Sequence, residues 1–166
     1  YALPDAHYAD KVVILTDDLV AYPNTPNSIS EHDVDFVVEV DSVGDSSKIA
    51  SGAIRDTKNP RDILLAKQAA KVIVNSGYFK EGFSIQTGSG GASLAAVKYI
   101  RQSMIDQGIK ASFALGGITA HMVKMHEEGL IERLIDVQSF DKVAAESLKN
   151  DPTHKEVASY EYASMH

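Results

Sequence analysis

Apolar positions follow two rhythms along this chain. Near its start, KVVILTDDLV (11–20) and VDFVVEV (34–40) are short runs rich in β-branched residues. Each is bounded by polar or turn residues, and both read as buried strands. Between them AYPNTPNSIS (21–30), with two prolines and two asparagines, reads as a loop. The stretch DSVGDSSKIASGAIRDTKN (41–59) is small, polar and without period, as a connection between two packed units is. From there the rhythm becomes helical. Asn59 is placed to cap, Pro60 to open the helix, and Asp62 to sit in its first turn, so RDILLAKQAAKVIV reads as a helix ending near Asn75, before Gly77.

Strand and helix then alternate. FSIQT (83–87) reads as a strand. GASLAAVKYIRQSMIDQ (91–107) reads as a helix with Leu94, Val97, Ile100, Met104 and Ile105 on one stripe, stopped by Gly108. IKASFAL (109–115) reads as a strand that Gly116-Gly117 turn into the helix ITAHMVKMHEE (118–128), ended by Gly129. LIDVQSF (134–140) reads as a strand, and Asp141 caps a last helix before Pro152. This β-α-β-α-β-α order predicts an α/β fold with an open parallel sheet and right-handed crossovers.

In such sheets ligands sit beyond the carboxyl ends of the strands, where helix N-termini offer unpaired N–H groups. Two of the three predicted strands run into glycine there. Three glycines within Gly88-Ser89-Gly90-Gly91 predict a cradle for an anion or carbonyl oxygen. Gln86, Thr87, Ser89 and Ala92 belong to that corner, with hydroxyls from Thr87, Ser89 and Ser93. Gly116, Gly117 and Thr119 would form its second wall, Thr119 as helix cap or ligand contact. Backbone donors at Gly90, Gly91 and Gly117 are the candidate oxyanion groups. The corner lacks the third glycine of a dinucleotide fingerprint, because position 93 is Ser93, and no Gly-Lys-Ser/Thr follows as in a P-loop. Hydride transfer and nucleotide hydrolysis are disfavoured.

Composition narrows the classes further. The chain has 166 residues, 44% hydrophobic, enough for one ordinary domain with a core. Its formal charge is −7 and its basic residues are scattered, so no Lys/Arg stripe suits nucleic acid. No apolar run is long enough to span a membrane. Without cysteine there are no disulfides or thiolate metal sites, which fits a cytoplasmic, reducing compartment. His121 and His126 are five apart, about 140° around a helix, so they share no face, and no metal site is expected. Both read as surface histidines, and Glu127 and Glu128 as solvated. No Ser-His-Asp arrangement has supporting local context. The first residue is Tyr1 rather than Met, which reads as a piece cut from a longer polypeptide.

TDDLVAYPNTPNSI, VDFVVEVDSVGD, FSIQTGSGGASLA, ASFALGGIT, HEEGLI and DVQSFDKVAAESLKN together resemble the citrate lyase alpha-subunit family. The resemblance covers nearly the whole chain. It implies a coenzyme A transferase-like α/β fold of two similar domains. Residues 1–55 would then end the first domain and cross over, and 56–166 would begin the second. It implies exchange of acetate for citrate on the thioester of an acyl carrier protein, or of coenzyme A, through an acetyl-citryl anhydride. A beta subunit and the acyl carrier protein subunit would be the partners. No cofactor would be held tightly, the CoA-derived thioester being substrate. Many related transferases place a glutamate nucleophile where this chain has ALGGIT. Gly116 and Gly117 supply none, in keeping with attack by citrate's own carboxylate. The other readings are a sugar-phosphate isomerase on the same superfold, or a non-catalytic ligand-binding or assembly module.

Overall fold

A computed structural model describes residues 1–25, 27–45 and 57–164. In chain order its elements are α1 (Ala2–Tyr8), β1 (Val13–Thr16), a 3₁₀ turn (Glu31–Asp33), β2 (Phe36–Glu39), α2 (Pro60–Val74), β3 (Phe83–Ile85) and α3 (Gly91–Gln107). They continue as β4 (Ala111–Ile118), α4 (Ala120–Glu127), β5 (Leu134–Ser139), α5 (Lys142–Asn150), β6 (His154–Glu156) and α6 (Ser159–Ser164). The chain divides into two compact units, Tyr1–Ser47 with Ala158–His166, and Lys48–Val157. The junction expected at 55/56 lies outside the described residues. Among the described residues no helix is long and apolar enough to cross a membrane.

In the first unit β1 pairs in parallel with β2, from Val13 opposite Phe36 to Thr16 opposite Glu39. Asp35 fastens the entrance to this pair. Its Oδ1 accepts from Lys11 Nζ at 2.7 Å and its Oδ2 from the Val12 amide at 2.9 Å. The Lys11 hydrogen bond, then that of the Val12 amide, holds the Asp35 carboxyl below the usual carboxylate range. Ser30 caps the 3₁₀ turn. The ring of His7 on α1 stacks on Tyr160 of α6. The expectation of buried strands fails here. Val13, Leu15, Phe36, Val37 and Val38 are exposed, because among the described residues no layer covers the faces that a parallel pair usually buries.

The second unit carries a four-stranded sheet in the order β3-β4-β5-β6, every pair parallel. With neighbours consecutive in sequence, right-handed crossovers send α3, α4 and α5 to one face. Ile85, Ala114, Leu134 and His154 lie in register across that sheet. Leu94, Val97, Ile100 and Met104 of α3 are buried against the core, with Met122, Val123 and Met125 of α4. Ile105 is 45% exposed instead of joining the stripe. It shares a direction with Leu94, but eleven residues carry it roughly 16 Å further along the axis, into the last turn. Helix α2 begins as expected, with Asn59 Oδ1 accepting from the Arg61 amide at 3.0 Å. It packs on α3 through alanines, Ala66 against Ala95 and Ala96, whose small side chains let the helices approach closely.

The largest correction concerns Gly116-Gly117. Strand β4 does not stop at Leu115 but runs to Ile118, with its register to β5 shifting between the two glycines. Gly116 has φ +110, which only glycine adopts without strain, and it creates the bulge. A Cβ at Gly117 would collide with the ring of Phe140. This pair is therefore a strand bulge and a ring seat, not a strand-to-helix turn. Thr119 does occupy the N-cap position of α4, but its side chain makes no cap bond. Asp141 does so instead. Its Oδ2 accepts from the Ala120 amide at 2.7 Å, while its Oδ1 accepts from the Ala144 amide of α5 at 2.9 Å. Strand β6, unforeseen because HKE carries no apolar alternation, completes the sheet beside β5.

Two stability effects follow from these contacts. Gly117→Ala should cost about 1–3 kcal/mol by overpacking, and Phe140→Leu in the same chain should recover part of it in denaturant titration. Asp141→Ala removes two caps at about 1 kcal/mol each. Its effect should therefore be about twice that of Asn59→Ala, which removes one.

Candidate functional site

Because β3 and β4 are parallel hydrogen-bonded neighbours, their carboxyl ends share one edge of the sheet. Residues Gln86 to Gly90 leave β3 there and enter α3 at Gly91. Gln86, Gly88 and Gly90 are exposed, while Thr87, Ser89, Gly91 and Ala92 are half-buried. Gly90 is the N-cap of α3, with φ −68 and ψ 151, and no side chain caps the helix. Its first turn also carries no acidic residue.

The glycines at 88 and 90 are not imposed by the fold. Neither has a left-handed φ. A Cβ at Gly90 would meet nothing within 4 Å, and one at Gly88 would meet only the Ser93 side chain, Oγ at 3.4 Å and Cβ at 3.8 Å, both ordinary contacts. Their effect is to leave the first amides of a 17-residue helix bare, at a terminus worth roughly half a positive charge. The starts of α2, α4 and α5 are closed by Asn59 and Asp141. Of these four helices, α3 alone presents an open start.

The second wall differs from expectation. Gly116 is buried, with the Gln86 side chain lying against it, so that a Cβ there would stand 3.3 Å from Gln86 Cγ. Gln86 thereby bridges the two glycine segments. Gly117 lies against Phe140, Thr119 is fully buried, and the first amide of α4 is already bonded to Asp141. The structure thus assembles Gln86–Ala92 as an open corner with Gly116 behind it, while Gly117 and Thr119 stand in packed surroundings. Among the described residues, Thr87 Oγ1, Thr119 Oγ1 and Asp136 Oδ1 are buried without hydrogen-bond partners.

Residue patterns alone missed a polar cluster on β5 and β6. Asp136, in register with Gly116, is 1% exposed. Its Oδ2 receives the Ser139 hydroxyl at 2.5 Å and lies 3.2 Å from His154 Nε2. His154 Nδ1 in turn lies 2.9 Å from Ser147 Oγ on α5. A Ser-His-Asp chain therefore exists, contrary to expectation. The His154 side chain is 0% exposed, however, so no substrate reaches the ring and the chain is no nucleophilic triad. The signal was there: a lone aspartate inside the apolar run LIDVQ, in phase with Leu134.

Two further expectations are corrected. His126 is not a surface residue. Its Nδ1 bonds the Ile131 carbonyl at 2.6 Å, and its Nε2 lies 3.0 Å from Asp151 Oδ2 and 2.9 Å from Thr153 Oγ1. Glu128 is not merely solvated. Arg101 grips both its oxygens, at 2.6 and 2.8 Å, tying α3 to the end of α4 and holding the Glu128 carboxyl below its usual range. Among the described residues no three His, Asp or Glu side chains are grouped to hold a metal ion.

Compared with known proteins, residues 1–166 match the family model described as citrate lyase, alpha subunit. The chain is 57% identical over 163 residues to the citrate lyase alpha chain of Haemophilus influenzae, covering 98% of this chain and 33% of that one. It is 56% identical over 163 residues to that of Escherichia coli K12, covering 98% and 32%. A solved structure from Streptococcus mutans, named as the alpha subunit of citrate lyase in complex with citrate, has a TM-score of 0.86 at 57% identity and covers 95% of this chain and 31% of that one. The chain spans about a third of the length of these relatives.

The His126 tether has a pH signature through Asp151. Hydrogen bonds from Thr153, side chain first and then amide, together with His126, hold the Asp151 carboxyl below its usual range. A carboxyl lowered on folding stabilises above its unfolded pKa, about 3.9, and loses that contribution as pH falls through the lowered folded value. Asp151→Asn should therefore lower the urea midpoint at pH 7, and the gap to wild type should close as the titration is repeated below about pH 4.

Proposed function

Because the chain belongs to the citrate lyase alpha-subunit family, we propose that it supplies part of an acyl-exchange site that replaces acetate by citrate on a carrier thioester. A citrate carboxylate attacks the acetyl carbonyl, and the carrier thiolate leaves. The acetyl-citryl anhydride so formed is then attacked at its citryl carbonyl by the thiolate, and acetate leaves. No enzyme nucleophile is needed. The reading rests on one observation: the bare start of α3, lined by glycines that neither φ nor packing demands. Its amides suit an oxyanion or carboxylate. A donor of this kind contributes about 3–4 kcal/mol to a transition state, and holding the two reactants together about 7–11 kcal/mol. Citrate in the Streptococcus mutans relative supports the substrate class. In this reading the acyl carrier protein brings the thioester, and a beta subunit consumes the citryl product. The cytoplasm supplies both.

The test uses a subunit of the relatives' length that carries this segment. Gly90 has ordinary extended dihedrals and open space around it, so Gly90→Val should leave the melting temperature near wild type. Acyl exchange should fall by about two orders of magnitude or more. Wild-type turnover in that variant rejects the cradle. Rate dependence on citrate and acetyl carrier together should follow a ternary-complex law, and an acyl group found covalently on the subunit rejects the anhydride route.

A further inference from the structure

The chain Ser147–His154–Asp136–Ser139 has no part in the corner described above. Asp136 and His154 are buried, at 1% and 3% exposure, and Asp136 Oδ1 has no partner among the described residues. A buried carboxylate with an unsatisfied oxygen is costly, and packing alone would be served better by an apolar residue. Its clearest effect is on Ser139. A carboxylate only accepts, so the Ser139 hydroxyl commits its proton to Asp136 Oδ2. What Ser139 offers to anything else is its lone pairs. Ser139 is half-buried, ends β5 and pairs with Ile118 at the carboxyl edge of β4. His154 and Ser147 hold the carboxylate that sets this polarity.

We propose that Ser139 is a specificity-determining residue, fixed as a hydrogen-bond acceptor by the Asp136–His154–Ser147 chain, that receives the hydroxyl group of a hydroxy-polycarboxylate. This rests on the acyl-exchange reading. Donors at the α3 start take carboxylate oxygens, and the acceptor at Ser139 takes the hydroxyl. Strand β5 lies two positions from β3, about 10 Å, a span that one small polycarboxylate bridges with a hydrogen bond of about 2.8 Å at each end.

The experiment compares calorimetric binding of citrate and of propane-1,2,3-tricarboxylate, which is citrate without its hydroxyl, by a subunit of the relatives' length. Wild type should prefer citrate about tenfold. Ser139→Ala should bring the ratio to about one by weakening citrate alone, Asp136→Asn should lower the ratio through the same hydroxyl, and Ser139→Thr should keep it. If Ser139→Ala does not melt cooperatively, Ser139→Cys, a near-isostere and weak acceptor, carries the same comparison. An unchanged ratio in the Ser139 variant overturns this proposal while leaving acyl exchange standing. Failure of wild type to bind citrate overturns both. Wild-type exchange by the Gly90 variant strikes the cradle alone.

Discussion

One carboxylate closes two of the helix starts in the second unit. Asp141 spends each oxygen on a different helix, Oδ2 on the first amide of α4 and Oδ1 on the third residue of α5. A side chain that only accepts, placed between two positive helix ends, satisfies orphan donors that would otherwise stay bare at a buried seam. It also fixes the spacing of the two crossovers that follow β4 and β5. Its neighbours extend the same role. Phe140 fills the space left by Gly117, and the Phe140 amide bonds the Ile118 carbonyl. Phe140 and Asp141 thus fill the space at Gly117 and satisfy an amide at the start of each of α4 and α5, while the amides of the β3–α3 corner remain unclaimed.

That contrast separates two uses of glycine that look alike in a sequence. Gly116 and Gly117 serve the fold, one by its positive φ and the other by making room for a ring. Gly88 and Gly90 serve neither purpose, since their dihedrals are ordinary and their surroundings nearly empty. By residue pattern alone the triplet of glycines and the doublet both read as ligand walls. Only coordinates distinguish an empty approach from one filled by Phe140, whose ring comes from 23 residues away in the chain.

Local signals carried much of the rest. Asn59-Pro60 and Gly108 fix the ends of α2 and α3 because caps act within one turn. The alternation of helix and strand foretold the parallel sheet because each crossover needs its own helix. Segments such as FSIQTGSGGASLA and ASFALGGIT suffice to suggest the family. What escaped was non-local. His154 and Asp136 are 18 residues apart, and nothing in HKE marks a strand until β5 offers it a partner. His126 read as a surface residue because Asp151 and Thr153 reach it only after α5 folds back. Composition marks β1 and β2 as strands, yet it cannot say whether a face is covered, and among the described residues theirs is not.

The two polar systems at the sheet edge divide the chemistry by direction of hydrogen bonding. The bare amides of the α3 start donate and accept nothing. Ser139 can only accept, because its proton is committed to a carboxylate. A ligand that meets both must carry acceptors at one end and a donor at the other, which excludes a simple dicarboxylate from satisfying the pair. Direction also explains why a buried polar group is tolerated. A neutral residue at 136 would let the Ser139 hydroxyl rotate and donate to whatever approached, and the edge would lose its polarity. The unsatisfied Asp136 Oδ1 costs stability. It is the same carboxylate whose other oxygen holds the serine proton, so the cost and the selectivity come from one group.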